Sequence, residues 1–139
     1  NERDLLTLFE KNALALQCEK LGIDSSLEAL FDIPNWQKDT ETCDVLQPIL
    51  TRLAAHYLSK EKRKNGRAFD PVAHFHLTNG AQIQQLNWMG DQSEKGLNQS
   101  FGLMVNYLYQ LNLIESNSTA YVGRGEATTS QAVKTLLNK

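Results

Sequence analysis

An Asn-Gly pair with apolar and aromatic runs on both sides leaves a chain few ways to fold. Here Asn79-Gly80 sits inside residues 70–88, DPVAHFHLTNGAQIQQLNW. Asn-Gly supplies the two positive-φ positions of a type I′ turn, so the segment predicts a tight antiparallel β-hairpin. With Asn79 and Gly80 at the turn, Thr78 faces Ala81, Leu77 faces Gln82, His76 faces Ile83 and Phe75 faces Gln84. Side chains alternate along a strand, so His74 and His76 are expected on one face, with Phe75 and Leu77 turned to a core beneath. Such a ribbon makes a histidine available for proton transfer.

The rest of the chain bounds what surrounds the ribbon. Its 139 residues are about one domain's length, and 41% hydrophobic with 22% charged residues is the composition of an ordinary globular protein. A net charge of −2 gives no electrostatic footprint for nucleic acid. The densest basic run, Lys60-Glu61-Lys62-Arg63-Lys64, reads as a solvated helix end. Cys18 and Cys43 show neither CxxC nor Cys/His ligand spacing, which fits a reduced, intracellular protein, and with Asn138-Lys139 not a Ser-Lys-Leu ending the cytoplasm is the default expectation. No apolar run is long enough to span a membrane, and no basic-then-apolar signal peptide opens the chain. Asn1 is not an initiator residue, so a fragment or processed product is expected.

Residues 1–64 read as helical. Leu5, Leu8, Phe9 and Leu16 form an apolar stripe over residues 4–21, with Glu10, Lys11, Glu19 and Lys20 toward water and Gly22 as the stop. Asp24, Ser25 or Ser26 caps a short helix through Phe31, and Pro34 ends it. Trp36 anchors a polar loop, and Val45, Leu46, Ile49, Leu50, Leu53, Ala54, Tyr57 and Leu58 place a third helix over residues 43–63, Pro48 lying near its first turn. His56, inside it, reads as structural or surface-exposed. Asn65-Gly66 closes that helix.

Residues 65–139 read as strand-rich. After the hairpin, Asp91 or Ser93 caps a helix through Ser100, Gly102 marks a break, and residues 103–113 form a strand, with a helix as the open alternative. Residues 115–119 are turn-like, 120–122 a short edge strand and 127–137 a terminal helix. The expected fold class is α/β (α+β): a helical first half, then a mixed sheet with a β-hairpin and a terminal helix. Gly123-Arg124-Gly125 lacks GxGxxG spacing and reads as a flexible connector.

The run DPVAHFHLTNGAQIQQLNWMGD, followed by SFGLMVNYLY and then NSTAYVG, resembles the C-terminal portion of malonyl-CoA decarboxylases. The likeness extends from Asn65 to Gly123 with spacing preserved. It implies the last part of a catalytic domain similar to the GNAT acyltransferases, homo-oligomeric through regions outside this chain. It implies malonyl-CoA as substrate, acetyl-CoA and carbon dioxide as products, and no cofactor, CoA being part of the substrate. The family's catalytic serine, in an SPIPGF-like motif that this sequence lacks, is implied upstream.

Decarboxylation of a malonyl thioester leaves an enolate that must be stabilised and protonated at carbon. The family's catalytic histidine matches His76 in the FHL triplet, as proton donor and substrate contact. Tyr109, the second tyrosine of NYxY, is implied as the phenol that orients the imidazole, and Asn106 as a substrate-binding amide. Read from the residues alone, the three are rather a satisfied strand histidine, a core tyrosine and a turn-stabilising amide. His74 reads as a solvated neighbour; a His-x-His pair without a third ligand at metal spacing gives no metal site. A CoA-dependent acyltransferase and a non-catalytic helical interaction module stand as alternatives.

Overall fold

The computed structural model describes residues 6–63 and 65–138, which form two compact units dividing between Leu50 and Thr51. The division falls inside a helix, earlier in the chain than the helical-to-strand change expected at residues 64–65.

The first unit is helical. Helix α1, Leu8–Leu21, opens on a capping box: Thr7 Oγ1 accepts the Glu10 N–H at 3.1 Å and Glu10 Oε1 accepts the Thr7 N–H at 2.9 Å. This exchange buries Glu10, expected at the wet face. The helix packs through Leu14, Gln17 and Cys18, while Leu8, Phe9 and Leu16 are 74%, 79% and 57% exposed. The reversal follows from a polar contact, Gln17 Nε2 donating to Thr42 Oγ1 at 3.2 Å, which apolar periodicity does not register. Gly22 stops the helix at φ 69°, as expected. Ser26 caps α2, Leu27–Phe31, and Trp36 is buried edge-on against Phe31 with ring centroids 5.2 Å apart. Helix α3, Thr40–Ser59, carries Pro48 in its interior rather than near its first turn.

The second unit corrects the predicted hairpin. Residues 70–80 form a helix and its cap: α4, Pro71–Thr78, begins with Asp70 Oδ2 accepting the Ala73 N–H at 2.8 Å and with Pro71 in the first turn. Asn79 keeps a negative φ of −85° and only Gly80 goes positive, at +91°. A type I′ turn needs both residues positive. Instead, the Gly80 N–H reaches the Leu77 carbonyl at 3.1 Å and the Ala81 N–H the His76 carbonyl at 3.0 Å, the bonds of a Schellman cap.

Strand β1, Gln82–Asn87, pairs antiparallel with β2, Met104–Leu108, not with residues 70–78. Ile83 lies opposite Tyr107, Leu86 opposite Val105 and Asn87 opposite Met104, with a register irregularity between Ile83 and Gln85. The other edge of β1 is held by a parallel bridge between Ile83 and Thr129. Between the strands, Ser93 caps helix α5, Glu94–Ser100, and Gly102 makes the expected break at φ +82°.

Residues 114–124, expected as turn and edge strand, are helix α6, Ile114–Arg124. Its polar side chains face α4: Asn117 Nδ2 donates to the Gly80 carbonyl at 3.2 Å and Ser118 Oγ to the Thr78 carbonyl at 2.7 Å. They satisfy carbonyls that a helix end leaves open. Ser130 caps the terminal helix α7, Gln131–Leu137, and its hydroxyl donates to the Gln84 carbonyl at 2.6 Å. The core gathers Ala55, Leu58, Ala68, Ala73, Leu77, Ile83, Leu86, Tyr121 and Val133.

Candidate active site

Because residues 71–78 are helical, the two histidines do not share a face. Residues 100° apart per step put Ala73 and Leu77 inward, His74 with Thr78 on one flank and His76 with Val72 on the other. Burial follows: Ala73 and Leu77 are buried, His74, His76 and Thr78 half-buried, Val72 and Phe75 exposed. The expected His-x-His strand pair therefore dissolves into two separate settings. Among the described residues, no group of His, Cys, Asp and Glu is placed to hold a metal ion.

His76 meets the tyrosines of β2. Its Nδ1 lies 2.7 Å from Tyr109 Oη, and its ring stacks on Tyr107 with centroids 4.2 Å apart and planes 20° from parallel. Phe75 closes a third side edge-on, centroids 5.2 Å apart. Tyr107 faces inward because β2 alternates: Val105 and Tyr107 pack on the core while Met104, Asn106 and Leu108 are exposed. Burial, then the Asp70 charge and Tyr109, push the Tyr107 hydroxyl well above the usual phenol range, so this ring stays neutral. The imidazole is thereby fixed in plane by stacking and in rotation by one hydrogen bond, with a half-exposed edge for a reacting atom.

The structure brings His76 and Tyr109 together and leaves Asn106 apart, opposite Gln85 on the other face of β2. Sequence reasoning missed Tyr107. The signal was present in Tyr107-Leu108-Tyr109, since two tyrosines at strand spacing share a face. His74 is not a solvated bystander either: its Nδ1 lies 2.7 Å from Tyr121 Oη.

Fold and site thus define an α+β chain that presents a tyrosine-held imidazole. The family model described as the malonyl-CoA decarboxylase C-terminal domain matches residues 3–139. The mitochondrial malonyl-CoA decarboxylase of Rattus norvegicus is 43% identical over 115 residues, covering 83% of this chain and 23% of that protein. Among solved structures, the malonyl-CoA decarboxylase of Rhodopseudomonas palustris matches with TM-score 0.77 and 43% identity, over 96% of this chain and 30% of its own. That of Agrobacterium vitis gives 0.75 and 42%, over 91% and 34%. The chain belongs to the malonyl-CoA decarboxylase family, and it spans less than two-thirds of each of these relatives.

Proposed function

We propose that this chain supplies the proton-donating part of an active site that converts malonyl-CoA to acetyl-CoA and carbon dioxide. The observation that carries the reading is the 2.7 Å contact between His76 Nδ1 and Tyr109 Oη. In the imidazolium, Nδ1–H donates to the phenol oxygen and Nε2–H faces the reacting carbon. Carbon dioxide leaves as the C–C bond breaks, and its electron pair passes into the thioester enolate. The Nε2 proton then goes to the methylene carbon, leaving the Nδ1–H tautomer still bonded to Tyr109.

Holding the carboxylate falls to the serine that the family resemblance implies outside this chain, within a GNAT-like catalytic domain of which residues 1–139 form the last part. A homo-oligomer built through regions outside this chain belongs to the same reading. The proposed compartment is the cytoplasm. Two features are compatible with it: Cys18 and Cys43 are free, and among the described residues no helix is long and apolar enough to cross a membrane.

The test is turnover of malonyl-CoA by the full-length protein with no acceptor amine present. Acetyl-CoA should form, and His76→Ala should lower kcat roughly 10²-fold or more. An unchanged kcat in that variant, or acyl transfer only when an amine is added, overturns the reading.

A further inference from the structure

Three features without a role in this chemistry meet at one place on the second unit: the loop of Asn65, Gly66 and Arg67 that follows the basic run, Gly123-Arg124-Gly125, and His74. The basic run begins at the helix end: α3 stops at Ser59, and the Lys60 and Glu61 N–H groups reach the His56 carbonyl at 2.8 and 3.0 Å. Beyond it, Lys62 pairs with Ala68 in an antiparallel bridge. The Arg63 N–H reaches the Arg67 carbonyl at 2.8 Å and the Gly66 N–H the Arg63 carbonyl at 2.9 Å, the bonds of a loop that carries Asn65 and Gly66. That loop abuts the end of α6, where a Cβ on Gly125 would stand 3.2 Å from the Gly66 carbonyl oxygen. Between loop, helix end and the His74 flank of α4 opens a cavity of about 480 Å³, lined by Asn65, Arg67, His74, Thr78, Tyr121 and Arg124 among others.

The lining is built from donors. Tyr121 Oη accepts the Ala68 N–H at 2.8 Å and lies 2.7 Å from His74 Nδ1. With Nδ1 engaged there, Nε2 is the ring nitrogen left for a ligand. Thr78 Oγ1, in the lining, is buried without a hydrogen-bond partner, a polar group that a ligand completes. Lys62 Nζ, outside the lining, is likewise unpartnered and lies 5.4 Å from the centre of the Tyr121 ring. The charged side chains of the lining are Arg67 and Arg124; Glu126, beside the lining, pairs with Arg124 at 3.3 Å, which leaves the balance positive.

We propose that this cavity is a binding site for a phosphate monoester, gripped by Arg67 and Arg124 with His74 beside them. Guanidinium groups match the planar pairs of oxygens on a phosphoryl group, which lysines alone do not. The volume is that of a small-molecule pocket and leaves room for whatever the phosphate is attached to. Two sources share this chemistry: the 3′-phosphate of a CoA thioester, and a phosphate monoester unrelated to the reaction. Only the first rests on the decarboxylase reading.

The experiment follows the ring signals of His56, His74 and His76 by NMR in the full chain during titration with inorganic phosphate, CoA and dephospho-CoA. Inorganic phosphate should move the His74 signals and leave those of His56 in place, and Arg67→Gln with Arg124→Gln should weaken that binding roughly tenfold or more. CoA bound at least tenfold more tightly than dephospho-CoA, with the difference lost in the double variant, assigns the site to the substrate's phosphate. Equal binding of the two, with phosphate still moving His74, assigns it to another monoester. His74 signals that do not respond to phosphate, or respond equally in the double variant, overturn the proposal. None of these outcomes depends on turnover, so a failed decarboxylation assay is a separate result.

Discussion

At the scale of single residues, Tyr109 has one task that its neighbours cannot take over. Tyr107 fixes the plane of the His76 ring by stacking, but only the Tyr109 hydroxyl fixes which nitrogen is occupied. Tyr109→Phe keeps the ring and loses one hydrogen bond, present before and after proton transfer, so kcat should fall roughly 3- to 10-fold with little change in KM. Steady-state kinetics on malonyl-CoA reads this, and a KM effect alone would count against a positioning role. Lys62 poses the opposite case. Burial first, then Lys60, holds its ammonium below the ordinary lysine range. The unfolded chain therefore binds more protons between the lowered value and 10.5, and stability rises with pH across that window. Lys62→Met in phosphate-free buffer should remove this slope in urea unfolding followed against pH, and at neutral pH should match or exceed the native stability by up to about 1 kcal/mol.

Helix α4 shows what decides an element when local signals conflict. Asn-Gly between apolar runs argues for a hairpin, yet Asp70-Pro71 is equally a helix start, and Ala73 with Leu77 is equally a helical step. Eight residues are too few for a helix to stand by propensity. This one stands because Ala73 and Leu77 bury against Ile83 and Tyr121, and because Asn117 and Ser118 of α6 bond the carbonyls at its end. Asn117, Ser118 and Tyr121 lie about forty positions away in the chain, so no local window shows them; the same distance hid α6, whose polar Asn-Ser-Thr reads as a turn until its bonds are seen. Gly80 carries the consequence. A Cβ there would collide with the Ile114 backbone at a φ of +91°. Gly80→Ala should therefore destabilise the second unit by roughly 2–4 kcal/mol, against about 1 kcal/mol for Asp70→Ala at the other end of α4. Urea midpoints of the two variants decide it; a milder effect at Gly80 than at Asp70 would mean that the cap is dispensable.

Across the whole molecule, what the sequence made legible was spacing rather than shape. The FHL and NYxY motifs paired His76 with Tyr109, and the two rings are in contact although the element carrying His76 was taken for a strand, because the contact joins two fixed positions however the chain runs between them. Surface is where local patterning fails, since apolar residues read as core can be left outside. On the second unit, Met104 and Leu108 are 47% and 36% exposed on β2, whose outer edge is unpaired among the described residues, and Leu111 just beyond is 91% exposed. An unpaired strand edge beside apolar side chains is a template for adding another strand. The chain expressed alone should accordingly self-associate at roughly micromolar concentrations and above. Placing a charge at the edge, Met104→Lys with Leu108→Lys, should shift sedimentation toward the monomer while leaving the His76–Tyr109 contact intact, because both positions lie on the face away from Tyr107. If the native chain sediments as a monomer throughout, that edge is shielded; if the lysine variant associates as strongly as the native chain, another surface, such as the exposed Leu8, Phe9 and Leu16 of the first unit, carries the association.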